Sequence, residues 1–358
     1  MSQSLVNPFF FGGAGTGGIG MFEELGRTTL TGNASSISVT NFTVMPYVWV
    51  LAYLDTTNPS DPAMGRFRQG SGGTIDTGGN YAFRTHSNNG SQSTAINYTN
   101  GYSAGGNNGS QFISLHCMNN TTGNDKNTIY HSISEDSNSG APNRRTGVGK
   151  WADSNQFDSV ELHELETSTF RSGTEIVVLG YDPAAATPTN SIWEELADVE
   201  LTSDGTSIDS GTFTTKKYIL IEYQIIGATG ASSFDAGLQI GNGTVDTGSD
   251  YYWRESTNDA GDSTSSGTTR LMTGSSYIGS DESFFGYYLF YNKASKYKLG
   301  MGEIIGTGTA GASNLPSNRT TVGKWQNTSD QFDRVELFRY GGTGNFKAGS
   351  RLTIRGFD

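Results

Sequence analysis

One cysteine, four histidines, eight prolines and a charged fraction of 16% in a chain of 358 residues remove several function classes at the outset. Cys117 lies in the apolar run 112–118 and has no second thiol to pair with, so the fold must be held by its core, and the residue reads as a small buried hydrophobe. His86, His116, His131 and His163 form no His-x-His or His-Glu-x-x-His spacing, so no metal is expected. The 35 Asp and Glu outweigh 23 Lys and Arg, giving a formal charge of −12. That charge repels polyphosphate and anionic lipid, and no basic cluster stands against it; neither nucleic acid nor a membrane is an expected partner. Long apolar runs are absent too. Phe9-Phe10-Phe11 is interrupted at once by Gly12-Gly13 and no basic stretch precedes it, which argues against a signal peptide or a spanning helix and for synthesis in a cytoplasm.

Catalytic patterns are equally scarce. Gly-x-Ser-x-Gly does not occur, and the Gly-rich stretch 12–18 does not join a strand to a helix as a phosphate loop would. Glu161 and Glu336 occupy matching strands, but the alternation in Val160-Glu161-Leu162 sets the carboxylate opposite the core face, the ordinary place of a solvated residue. Asp158 and Asp333 read as turn-bonding residues, and Asp259-Ala260-Gly261-Asp262 lacks the spacing of a calcium loop. The expectation is a chain with no catalytic residue and no cofactor, not an enzyme.

What is present is a duplication. Val148-Gly149-Lys150-Trp151, Gln156-Phe157-Asp158, Val160-Glu161-Leu162, Phe170, Gly173 and Gly180 recur in order as Val322-Gly323-Lys324-Trp325, Gln331-Phe332-Asp333, Val335-Glu336-Leu337, Phe346, Gly349 and Gly356. Leu30, Ile37, Phe42 and Tyr47 answer Leu201, Ile208, Phe213 and Tyr218, and Asp76-Thr77-Gly78 answers Asp246-Thr247-Gly248. A spacing that stays nearly constant across both copies means tandem domains whose loops absorb the few insertions. The expected organisation is an N-terminal Gly/Phe-rich arm over 1–26, one repeat over 27–182, a linker over 183–196 and the second repeat over 197–358.

Each repeat reads as β-structure. In the first, strands are expected over 36–42, 47–54, 64–68, 80–85, 111–118, 128–134, 156–165 and 173–179, with a matching set in the second. About eight strands per copy, joined by Gly/Asn/Ser turns, predict an all-β chain of two tandem antiparallel β-sandwiches, jelly-roll-like, behind an extended arm. The segments 87–110 and 257–280, nearly pure Ser, Thr, Asn and Gly, are expected to be long loops. The repeated Gly-Lys-Trp reads chiefly as a hinge between loop and strand whose indole closes one end of a sandwich, and otherwise as an exposed ring for a sugar or a subunit. Trp151, Trp325 and Trp253 are therefore the candidate glycan or subunit contacts.

Several of these segments carry a resemblance. Phe42-Thr43 with Tyr47, Phe213-Thr214 with Tyr218, the strand Asn80-Tyr81-Ala82-Phe83-Arg84, the Val-Gly-Lys-Trp motif and the closing 172–180 segment resemble structural proteins of marine tailed phages, and the opening Asn7-Pro8 followed by aromatics is similar to virion proteins of that kind. The resemblance spans nearly the whole chain through loose sandwich motifs. It implies a non-enzymatic virion component, made in the host cytoplasm and placed on the exterior of the particle as a capsid decoration, vertex or fibre-like part. The implied partners are major capsid or tail and portal proteins and further copies of the chain, a trimer among the candidate symmetries. Asn7, Pro8, Phe9, Phe10 and Phe11 would form the anchor, since three adjacent aromatics on a Gly-rich stalk gain most by finding a pocket. The alternative is a lectin-like protein contacting host-surface glycans; a depolymerising tail enzyme would require a carboxylate pair in a cleft.

Overall fold

The computed structural model describes residues 22–57, 65–88, 91–98, 101–103, 109–119, 125–135, 140–164, 169–182, 192–227, 234–258, 261–273, 283–306 and 317–358. Among them there are β-strands and no α-helix. They group into two compact units that divide between Ile192 and Trp193, with 140–142 counted in the second.

In the first unit the large sheet has the spatial order β1 (Glu23–Thr29), β13 (Glu175–Tyr181), β3 (Tyr47–Leu54), β9 (Gln111–Met118), β10 (Lys126–Ser134), β11 (Asn143–Trp151), β6 (Tyr81–Ser87) and β7 (Ser91–Tyr98). The small sheet is β2 (Ser36–Val39), β12 (Ser159–His163), β4 (Arg66–Ser71) and β5 (Thr74–Ile75), with β8 (Tyr102–Ser103) also on β4. Neighbouring strands run antiparallel. The second unit repeats the order strand for strand. Its large sheet is β14 (Glu194–Glu200), β26 (Arg351–Phe357), β16 (Tyr218–Ile226), β22 (Ser283–Tyr291), β23 (Lys298–Gly306), β24 (Ser317–Trp325), β19 (Tyr251–Thr257) and β20 (Asp262–Thr268). Its small sheet is β15 (Ser207–Thr212), β25 (Arg334–Gly342), β17 (Phe234–Asn242) and β18 (Thr244–Val245), with β21 (Leu271–Met272) on β17.

Period-two patterning explains why these sheets close on each other. In β2, Ile37 and Val39 point inward while Ser36 and Ser38 do not, and they meet Val48, Val50, Ala52 and Leu54 of β3 with Val160 and Leu162 of β12 in one core. Burial of each such side chain contributes about 1.5–3 kcal/mol against the cost of ordering the chain. Trp49, Leu51 and Tyr53, on the opposite face of β3, are buried as well, so the run 47–54 shows little alternation. Each unit is an antiparallel, jelly-roll-like β-sandwich.

The structure departs from the sequence-based expectations at two interior strands, β11 and β24, which no expected strand covered, and at sheet edges. The expected loops 87–110 and 257–280 contain β7 and β20, each ending a large sheet. Side chains on both faces of these strands meet water, and each strand is bulged against its neighbour, so neither shows the alternation that marks a half-buried strand. β1 begins at Glu23, inside the segment assigned to the arm, and β14 at Glu194, inside the assigned linker. Both are charged edge strands, Glu-Glu-Leu at each start. The expected anchor residues Asn7, Pro8, Phe9, Phe10 and Phe11 lie outside the described residues.

Candidate functional site

The residues that the two copies share hold the sandwiches together. Val-Gly-Lys-Trp forms the last residues of β11 and β24, inside the large sheets, so it is strand rather than a hinge, while its indole has the structural role chiefly expected of it. Trp151 donates its indole N–H to Asp76 Oδ2 at 2.7 Å, Trp325 does the same to Asp246 Oδ2 at 2.7 Å, and both rings are 1% exposed. Neither ring can stack on a sugar or a neighbouring subunit. Burial alone would raise the Asp76 carboxyl, but hydrogen bonds from Trp151, Asn80 and the Gly78 amide hold it below the usual range. Asp158 and Asp333 accept from the amides of Gly73 and Gly243 at 3.0 and 2.6 Å, the turn role expected of them. Glu161 pairs with Arg68 at 3.2 Å. His116 stacks on Trp49 with ring centroids 4.9 Å apart, and no group of three or more metal-ligating side chains gathers among the described residues.

Trp253 differs from the other two tryptophans. It sits on β19 two residues from Tyr251 and two from Glu255, all on the inward face, half-buried against the core of the second sandwich. Glu255 Oε1 accepts from Arg319 Nη1 of β24 at 2.7 Å, and this pair is buried. Tyr223 donates to the Thr273 carbonyl at 2.9 Å and Tyr288 to the Met272 carbonyl at 2.5 Å, tying the segment after β21 to the same end of the core. Asp235 of β17 acts electrostatically on both Glu255 and Arg270, and the Arg270 guanidinium stacks on the Tyr340 ring. Burial raises the Glu255 carboxyl, Arg319 opposes that shift, and Asp235 adds to it.

Six buried polar atoms in this cluster make no hydrogen bond among the described residues: Glu255 Oε2, Asp235 Oδ1, Thr273 Oγ1, Trp253 Nε1, Arg319 Nε and Arg270 Nε. Buried polar groups are normally satisfied, so these atoms mark a place where water or a ligand completes the structure. The first sandwich lacks this arrangement. Phe83 stands in register where Trp253 does, Thr85 where Glu255 does, and Arg145 where Arg319 does, while Arg66 stacks over Phe83 and Tyr98 at 5.9 and 5.3 Å. Trp253 stood out in the sequence, whereas Glu255, Asp235, Thr273 and Arg319 did not. The signal present there was the parity of Tyr251, Trp253 and Glu255, which places a carboxylate on the core face.

No family model and no curated protein matches the chain. Among solved structures it is similar to the LG4-5 domains of the mouse laminin alpha1 chain, at 10% identity over 92% of this chain and 88% of that one, with a TM-score of 0.21. It is also similar to the binding domain of a botulinum neurotoxin of serotype D/C, at 10% identity over 84% and 86%, with a TM-score of 0.14. Both scores are too low to transfer any property, and the architecture stands on the strands themselves.

Proposed function

We propose that the chain is a non-enzymatic structural protein of a bacteriophage virion, an exterior decoration, vertex or fibre-like component held to the particle by its N-terminal segment. The observation that supports this most is the content of the duplication. The Trp–Asp pairs and the Asp–Gly turn bonds are kept in both sandwiches, whereas the side chains around Trp253 and Glu255 are replaced in the first by Phe83 and Thr85, with Arg66 over the Phe83 ring. What was duplicated is a scaffold. The acidic composition suits an exterior station, because a subunit of charge −12 beside packaged DNA would be repelled. Further copies of the chain would also protect the polar edges at β7 and β20. Deleting residues 1–20 is expected to leave folded sandwiches that no longer join particles, measured by the ratio of truncated to full-length chain in purified virions. Incorporation at the full-length level contradicts the anchoring role.

A second reading, a carbohydrate-binding protein contacting host-surface glycans, is favoured by one observation, the cluster around Trp253. A glycan array probed with the full chain tests it, selective binding being the expected result.

A further inference from the structure

We propose that the part of the second sandwich between Trp253, Glu255, Asp235, Thr273, Arg319 and Arg270 is a binding site for a neutral saccharide. Such a site rests on the glycan reading and narrows it to one domain, one set of atoms and one ligand class.

The unsatisfied atoms are of both kinds. Glu255 Oε2 and Asp235 Oδ1 accept, Trp253 Nε1 and the two arginine Nε atoms donate, and the Thr273 hydroxyl can do either. Sugar hydroxyls, each a donor and an acceptor, satisfy such a mixed set; an inorganic anion would meet only the donors and a metal ion only the acceptors. Charge points the same way, because two carboxylates and two guanidiniums nearly cancel and leave no net field for an ion. Trp253 adds a flat half-buried ring. Depth is graded: Glu255 and Thr273 are buried, at 6% and 0% exposed, while Asp235, Trp253 and Arg270 are only partly so.

The first sandwich provides an internal control. Phe83 has no N–H and Thr85 no carboxylate at the equivalent places, so it is expected to bind no neutral sugar here. An aromatic ring remains in the first sandwich, so the discrimination lies in the polar atoms.

Two substitutions separate a ligand site from a structural one. Trp253→Phe keeps an aromatic ring and removes Nε1–H, and Thr273→Val keeps the shape and removes Oγ1. Neither atom has a hydrogen-bond partner among the described residues, so the near-isosteric Thr273→Val should leave the melting temperature unchanged, while Trp253→Phe loses only the ring area that packs on the core. The full-length protein is titrated with glucose, galactose, mannose, N-acetylglucosamine, lactose and cellobiose, and with glucuronic and N-acetylneuraminic acid, followed by saturation-transfer NMR and tryptophan fluorescence. The expected result is saturable binding of at least one of the neutral sugars, weakened tenfold or more by each substitution, with the melting temperature of Thr273→Val unchanged. Binding that survives both substitutions overturns the site but leaves the glycan reading standing. Binding confined to acidic sugars overturns the ligand class. A lower melting temperature in Thr273→Val assigns that hydroxyl to a structural water and also counts against the site. Failure of these sugars together with a silent array removes both the site and the glycan reading.

Discussion

Asn119→Ala is expected to lower the stability of the first sandwich by about 3 kcal/mol. Asn119 is fully buried, and its side chain clasps one residue's backbone from both sides. Its Nδ2 donates to the Phe157 carbonyl at 2.9 Å and its Oδ1 accepts from the Phe157 amide at 2.8 Å. Its own backbone N–H donates to the Pro46 carbonyl, and its carbonyl accepts from Gln156 Nε2 at 2.7 Å. Alanine leaves the Phe157 N–H and C=O buried without these partners, each costing about 1–3 kcal/mol, and opens a small cavity. The second sandwich has the same clasp. Asn292 bonds the Phe332 amide and carbonyl at 2.9 Å each, and Gln331 Nε2 bonds the Asn292 carbonyl at 2.6 Å. Asn292→Ala should therefore cost a similar amount, and the two losses should add because the residues belong to separate units. Urea unfolding of the single and double variants is the check, and a loss below about 1 kcal/mol for either would mean the clasp is dispensable.

Acid should weaken the first sandwich, and a rise from acid to neutral pH the second. Burial holds His116 and His131 down to about 3, against an ordinary value of 6.5, with Arg144 adding to the shift at His131. Unfolded, both imidazoles take up protons as the pH falls below 6.5; folded, they stay neutral until about pH 3. The stability they allow is complete above 6.5 and declines as the pH falls, by about 2 kcal/mol for each on going from about pH 7.5 to 5. In the second sandwich burial pushes the Glu303 carboxyl up to about 7 from 4.5. It lies on the large sheet between Tyr287 of β22 and Thr320 of β24. Folded, it stays protonated where the unfolded chain has already released its proton. Stability therefore falls as the pH rises from 4.5 to about 7, by up to about 2 kcal/mol once the partial exposure of the side chain is allowed for. The raised carboxyls of Glu255 and Asp250, both shifted chiefly by burial, act in the same direction. Asp198 and Asp209, held down by Arg351 and Arg334, titrate below this range. Calorimetry at about pH 5, 6.5 and 8 should show two transitions moving oppositely, with Glu303→Gln flattening the second. Parallel movement of both transitions contradicts this assignment.

How much of the molecule could be read from its sequence follows from how local each signal is. The repeat, the central strand Tyr47–Leu54 and the inward Ile37 and Val39 are visible because hydrophobic pattern and order are properties of short stretches. The edges β1, β7, β14 and β20 are not, because strands wet on both faces carry no alternation, and their Ser, Thr and Glu content reads as loop. Trp151 shows the same limit at the level of a residue. Gly-Lys-Trp reads chiefly as a structural indole closing one end of a sandwich, which its burial agrees with, but only the fold brings Asp76 to that indole. Trp253 was legible as a candidate contact, but its partners come from β17, β24 and the segment after β21, which no spacing along the chain connects.

Whether this chain is a building element of a virion is decided by a density map of intact particles. Each copy should appear on the outside of the shell, vertex or tail as two sandwiches, each pairing an eight-stranded with a five-stranded sheet, with the N-terminal segment leading into a neighbouring virion protein. Particles whose exterior density is fully explained by other proteins, and whose protein content lacks this chain, would rule that role out.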